Sequence, residues 1–246
     1  MAMHNLFEIY HKYFHECEVR AVFDLGSRNA EESITLSKKY PNAIIYAFEC
    51  NPAAVKDCHA NIEKHEKIVL IPKAVNNYDG TCTFYPIDRE RTSTVHKDGN
   101  IGASSLFKAS GAYDHIEKYV QYQIEVQCTR IDSFIEEYRL SPPDIVWMDL
   151  QGAALLALES FGDYLESVRL IHTEVEMNPI YENQSTYEEI DKYLRKQKFI
   201  LCNGNLNKRY GTDLIYVNSK YLNIARQIIV KATTFYLRVL SRKILI

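Results

Sequence analysis

The chain is predicted to fold as an α/β domain built on a mostly parallel sheet with helices on both faces. Two features of the sequence point there. Short, nearly uninterrupted apolar runs rich in β-branched residues alternate with longer helical stretches, the pattern of strands covered on both sides. The last two apolar runs are separated only by a short glycine-containing segment, 204–211, so they are expected to pair antiparallel at the end of the sheet. A 246-residue chain with 46% hydrophobic and 25% charged residues and a net charge of −3 is neither disordered, collagen-like nor a basic nucleic-acid coat.

In chain order, residues 1–20 form an N-terminal helical extension; without a basic start leading into an apolar run, they do not resemble a secretory signal. AVFDLG (21–26) is the first strand and 29–39 the helix after it. IIYAFE (44–49) and helix 52–65 follow, then the third strand IVLIPKAV (68–75). The turn Asn77-Tyr78-Asp79-Gly80 leads to CTFYPI, expected to form a hairpin with the strand before it. Residues 88–111 are polar and without period, a long loop of the kind that serves function. A strand over 123–131 and a short helix over 132–139 come next. The rhythm then resumes with DIVWMDL and helix 153–165, VRLIHTEV and helix 186–196, and the closing strands FILCN and DLIYVN. The main domain is expected over 21–218.

Asp24-Leu25-Gly26-Ser27 closes the first strand and opens a helix. A glycine there lets backbone approach a ligand, and a helix N-terminus offers free N–H groups. Glu49 ends the second strand, where an acid can accept both ribose hydroxyls of a nucleoside. The dinucleotide fingerprint would need glycines where Arg28 and Glu31 stand. The single-glycine turn instead suits a ligand without phosphates, such as S-adenosylmethionine; the plainer alternative is that Asp24 and Glu49 cap helices. Asp149, followed by Gln151, ends a later strand, and Glu174 and Glu176 lie near the end of the next, on one face by their spacing. Such acids can accept a proton from a hydroxyl or hold a hard cation. His172, inside a strand, reads as a core histidine or as a base. The six cysteines form no C-x-x-C pair, which argues against a zinc site and for reduced thiols in a cytoplasmic protein.

The runs VFDLGSRNAEES, YAFECNP, GASSL, WMDLQGA and HTEVEMNPIYENQSTYEEIDKYL, in this order, resemble the FkbM-type S-adenosylmethionine-dependent methyltransferases over roughly residues 21–218. The resemblance implies a class I, Rossmann-like methyltransferase with a seven-stranded sheet and a terminal antiparallel pair. It also implies O-methylation, including of sugar hydroxyls in glycans or glycosylated metabolites. Asp24, Gly26 and Ser27 would lie against the methionine part of the cofactor, Glu49 and Asn51 at the ribose, and Lys73, Ala74 and Val75 at the adenine. Asp149 and Gln151 would sit at the methyl group, with Glu174 and Tyr181 on the acceptor side. Asp149 and Glu174 are the expected catalytic pair. They would act as general base or through Mg²⁺ or Mn²⁺, with Glu176 as a third metal ligand. Three positions depart from the family pattern: Arg28 for Asn, Ala30 for Gly, tolerable on a helix, and Ala154 for Glu. They keep a degenerate, non-catalytic scaffold open as the alternative.

From Leu214 onward there are six basic residues and no acid, which leaves about −9 on the first 213 residues. An acidic main domain argues against nucleic acid as partner. Residues 219–246 read as a basic amphipathic helix with the apolar stripe Leu222, Ala225, Ile229, Ala232, Tyr236, Leu240 and Ile244. Such a helix suits packing on its own acidic domain, a second subunit, or peripheral contact with an anionic membrane surface.

Overall fold

A computed structural model describes residues 2–242 of the chain. Its strands are β1 (Ala21–Leu25), β2 (Ile44–Phe48), β3 (Ile68–Ile71), β4 (Ala74–Val75), β5 (Gly80–Phe84), β6 (Ile124–Thr129), β7 (Ile145–Met148), β8 (Leu170–Glu176), β9 (Phe199–Gly204) and β10 (Gly211–Asn218). Its α-helices are α1 (Ala2–Phe14), α2 (Glu31–Lys39), α3 (Pro52–Ile62), α4 (Ile131–Tyr138), α5 (Ala154–Ser160), α6 (Tyr187–Lys196) and α7 (Ile224–Arg242). Seven strands form one sheet in the order β3-β2-β1-β7-β8-β10-β9. All pairings are parallel except those of β10, which runs antiparallel to both β8 and β9. The sheet is the expected class I methyltransferase arrangement.

Alternation within the strands divides the core. Phe23, Leu25, Val146 and Met148 face Phe134 of α4, Leu158 of α5 and Leu194 of α6. Val22, Ile45, Ile145 and Trp147 face Leu6 and Phe14 of α1, Leu36 of α2 and Val230 of α7. Strand order reverses between β1 and β7, so the first helices and the later ones diverge from that line and leave a crevice at the C-terminal strand ends. Gly26, Glu49, Asp149 and Glu176 are brought there by chain direction alone.

The middle of the chain departs from the hairpin expected there. The run 68–75 breaks at Pro72-Lys73 into β3, which stays in the main sheet, and β4, which leaves it. β6 then inserts between β4 and β5, parallel to the first and antiparallel to the second. This small sheet has its own core of Ala74, Cys82, Phe84, Val126 and Cys128. The loop 88–111 is pinned rather than free. Isolated bridges join Tyr85 to Ser105, Ser93 to Lys118 and Ala109 to Tyr181, and a short 3₁₀ turn forms at Ile101–Ala103.

Helix α7 lies against β9, but not through the expected stripe. Val230, with half-buried Thr234 and Leu237, faces the sheet, whereas Ala225, Ile229, Ala232 and Tyr236 are exposed; Leu222, before the helix, is buried. The side chain of Leu240, and Lys243 and Ile244 entirely, lie outside the described residues. The basic residues chose the face. Arg226 donates to the Tyr13 carbonyl (2.7 Å), and Arg238 to both oxygens of buried Asp191 (2.9 and 2.8 Å). Their stems cover apolar surface while their heads find acceptors. Among the described residues no helix is long and apolar enough to cross a membrane.

Candidate active site

The crevice holds a cavity of about 560 Å³, within the range of small-molecule sites. One end is apolar, lined by Phe48, Ala74, Val75 and Phe84; the other carries Asp149, Gln151, Glu174 and Glu176. Gly26, Glu49 and Asn51 line it between the strand ends.

The glycine turn is built tightly. The amides of Gly26 and Ser27 both donate to the Phe48 carbonyl (3.0 and 2.9 Å), and the Asp149 amide donates to the Leu25 carbonyl (3.0 Å). Gly26 has φ +89°, and a Cβ there would lie 1.9 Å from the Asp149 carbonyl oxygen. The neighbouring strand end therefore by itself requires a glycine here. Ala30 is not on the helix as expected. It stands just before α2 at φ 65°, and Arg28 at φ 50° is left-handed as well, conformations that cost an L-residue roughly 1–2 kcal/mol each. Arg28 turns its guanidinium over Gly102 to pair with Asp98 of the long loop. Its charge is thus neutralised by the loop, which accounts for an arginine at this position. Ala154 is buried at the start of α5.

Asp24 and Ser27 do not line the cavity; they lie behind the turn. Ser33 donates to one carboxylate oxygen of fully buried Asp24, the other has no hydrogen-bond partner among the described residues, and burial pushes the acid up to about 7. Ser27 Oγ donates to the Asp24 carbonyl (3.0 Å). Glu49 does line it. Its two oxygens accept the amides of Arg28 (2.9 Å) and Asn51 (2.7 Å), yet burial still pushes it up to about 7. Asn51 caps α3 by accepting the Ala53 amide (3.1 Å). The apolar end beside Glu49 fits a nucleoside: a flat base between Phe48, Ala74 and Val75, and a diol donating to the carboxylate. Glu49→Ala is expected to weaken S-adenosylmethionine binding about 10- to 150-fold, the equivalent of losing charged hydrogen bonds worth about 1.5–3 kcal/mol. Calorimetric titration checks this, with Glu49→Gln separating charge from shape.

At the other end Gln151 is the organising residue. Its amide nitrogen donates to Asp149 Oδ1 (2.7 Å) and Glu174 Oε2 (2.9 Å). Its amide oxygen lies 3.0 Å from the hydroxyl of buried Tyr181, and its backbone carbonyl accepts Ser105 Oγ (2.6 Å). These contacts hold it at φ 46°. The charge of Asp149, with burial, raises Glu174 well above the carboxylate range. Burial, with Asp149 second, raises Glu176 to about 7. The arrangement favours a proton on Glu174 and leaves the pair able to accept one from a bound hydroxyl.

The same contacts engage the carboxylates that the metal reading needs. The Gln151 amide occupies the space between Asp149 and Glu174, and Glu176 is engaged by the side-chain amide of Gln184. Among the described residues no group of three or more metal-ligating side chains is arranged to hold an ion. His172 is a core residue. It is buried, stacked on Trp147 at 3.6 Å, with Nε2 3.0 Å from Asp213 Oδ1. Sequence reasoning missed Gln184, which engages Glu176, and the tyrosines Tyr113, Tyr119 and Tyr210, which line the cavity with the carboxylates. The excess of tyrosine, 18 in all, was the only signal they gave.

The fold and site can be set beside known proteins. A precorrin-6y C5,15-methyltransferase from Geobacter metallireducens aligns at 13% identity and TM-score 0.44, covering 88% of this chain and 84% of that one. Fibrillarin from Aeropyrum pernix, solved with natively bound S-adenosyl-L-methionine, aligns at 14% and 0.46, covering 81% and 66%. In sequence, the 2-O-methyltransferase NoeI of Sinorhizobium fredii is 25% identical over 171 residues; the match covers 66% of this chain and 66% of that protein, so the chain spans about two thirds of the relative's length. The family signature described as the methyltransferase FkbM domain matches residues 24–201, most of the chain and the ends of β1, β2, β7 and β8 at the cleft. The chain belongs to the FkbM-domain methyltransferases.

Proposed function

We propose that the cleft transfers a methyl group from S-adenosylmethionine to a hydroxyl oxygen, that of a sugar in a glycan or glycosylated metabolite. The observation that carries this reading is the Asp149–Gln151–Glu174 constellation at the end of the cavity away from the nucleoside-shaped pocket. The cofactor, when bound, supplies a methyl group activated on a sulfonium. The protein must align the acceptor oxygen with it and remove the hydroxyl proton. Asp149 is the base and Glu174 shares the proton, while Gln151 fixes the distance between them. The 2-O-methyltransferase name of the sequence relative supports oxygen as the acceptor atom. The departures that suggested a scaffold have local explanations, with Arg28 tied to Asp98 and Ala154 in the core. A methyl-transfer screen against sugar acceptors with labelled cofactor tests the proposal. Labelled product supports it, and cofactor binding without transfer to any hydroxyl overturns it.

The raised acids give opposite pH trends for activity and stability. Turnover should rise with pH as Glu174, held well above the usual carboxylate range by the charge of Asp149 and by burial, loses its proton. Stability should fall as pH rises. Asp24, Glu49 and Glu176 hold protons more tightly folded than unfolded. Their contribution is therefore full below the unfolded carboxylate range, near pH 4, and is lost as pH rises towards about 7. Thermal unfolding of the cofactor-free protein should show a lower Tm at pH 8 than at pH 5.5. Glu176→Gln should flatten that slope; an unchanged slope would show that Glu176 ionises normally.

A further inference from the structure

Beyond the carboxylates, the cavity ends in a wall of tyrosine rings drawn from two segments distant in sequence. Tyr113 and Tyr119 come from the loop before β6, and Tyr210 from the turn between β9 and β10. Tyr113 meets Tyr210 edge to face at 4.9 Å, and lies 5.8 Å from Tyr119. Tyr119 stacks on buried Tyr181 at 6.4 Å and 19°. Tyr181 is the residue whose hydroxyl reaches Gln151. On the other side, Tyr210 precedes Gly211, whose α-carbon leaves so little room that a Cβ would lie 2.8 Å from Glu174 Oε1. The wall therefore adjoins the proton-accepting pair at both edges. Outer contacts hold it in place: the Tyr210 hydroxyl lies 3.0 Å from His115 Nε2, and the Asn100 amide donates to the Tyr119 hydroxyl at 3.5 Å. Burial keeps Tyr113 and Tyr119 as neutral phenols, with Glu117 adding to it.

We propose that Tyr113, Tyr119 and Tyr210 form the acceptor subsite, a platform for the C–H face of a pyranose ring whose reacting hydroxyl reaches Asp149 and Glu174. The inference rests on the methyl-transfer reading and adds to it the residues that hold the acceptor and the orientation of its ring. A sugar ring has one apolar C–H face and an edge of hydroxyls. The site has the matching asymmetry, with aromatic carbon on one wall and carboxylates and a carboxamide beside it. A flat phenolic acceptor such as catechol has two apolar faces and only one or two in-plane hydroxyls, fewer than a sugar edge offers to Gln151, Glu174 and Glu176. Ring stacking of this kind is tolerant of the rest of the ligand, so it fits an acceptor that extends out of the cavity past the exposed turn at Lys208 and Arg209.

Saturation-transfer NMR on the full chain with S-adenosylhomocysteine present tests this. Methyl glycosides of glucose, galactose and mannose serve as probes, with catechol as the flat aromatic competitor. At least one glycoside should receive saturation at its ring C–H protons, more strongly than catechol. Tyr113→Ala and Tyr210→Ala should each reduce the signal at least about fivefold, Tyr113→Phe and Tyr210→Phe should retain it, and S-adenosylhomocysteine affinity should stay the same in all four. The platform is overturned if no glycoside is saturated, if catechol is preferred, or if the alanine variants bind glycoside as the parent does. Failure of the parent protein to bind S-adenosylhomocysteine would sink the methyl-transfer reading instead, a result seen separately in the calorimetric titration.

Discussion

Asp149→Asn is expected to lower turnover about 10²- to 10⁴-fold, the contribution of a positioned general base, while S-adenosylmethionine affinity changes by less than about threefold. Asp149 sits at the end of β7, held by its own amide to the Leu25 carbonyl, so the substitution leaves the backbone of the glycine turn in place. What changes is the proton-accepting group. An asparagine cannot take a proton, and its amide would compete with the Gln151 amide that now donates to Asp149 Oδ1. The charge that holds the Glu174 proton is also lost, so Glu174 should titrate lower and replace little of the lost function. Single-turnover methyl transfer beside calorimetric binding gives both quantities. Near-normal transfer in Asp149→Asn would move the base elsewhere, and Glu176 would be the next residue to replace.

The second large effect is expected at Gly26→Ala, in stability and turnover together. The added Cβ would lie 1.9 Å from a backbone oxygen that cannot rotate away, at φ +89°. Left-handed strain of roughly 1–2 kcal/mol adds to overpacking of roughly 1–3 kcal/mol. A loss of about 2–5 kcal/mol is the expected sum, read by chemical denaturation. Because the clash is with Asp149, whatever protein remains folded should also be impaired in turnover. Gly211→Ala provides the contrast. Its Cβ would meet the tip of the Glu174 side chain at 2.8 Å, which can swing aside. That variant should fold normally and lose activity through a displaced Glu174. Equal stability of Gly26→Ala and the parent would show that the β1 and β7 ends are less tightly joined than the hydrogen bonds indicate.

The sequence by itself determined the main sheet and which acids stand at its edge. An apolar strand flanked by helices can be covered on both faces in only a few ways, and the chain direction of a parallel sheet then carries Gly26, Glu49, Asp149 and Glu176 to one end. The family resemblance added Asn51, Ala74 and Gln151, all of which line the cavity. Tertiary structure decided the rest, wherever a choice depended on a partner distant in the chain. The strand after Tyr78 could pair with the run before it or with β6, and only packing in three dimensions selects β6. Helix α7 has apolar residues on more than one side, so its period could not say which side meets the sheet. The acceptors at Tyr13 and Asp191 settled that through Arg226 and Arg238. What engages the carboxylates of Asp149, Glu174 and Glu176 depends on where the amides of Gln151 and Gln184 fall, the first far from Glu174 in the chain and the second set by a later turn. The tyrosine wall is assembled from residues 113, 119 and 210, and aromatic residues scattered at such separations have no period or spacing to betray them. Local pattern is written by the backbone's own geometry; a site made of side chains exists only once the fold has closed around it.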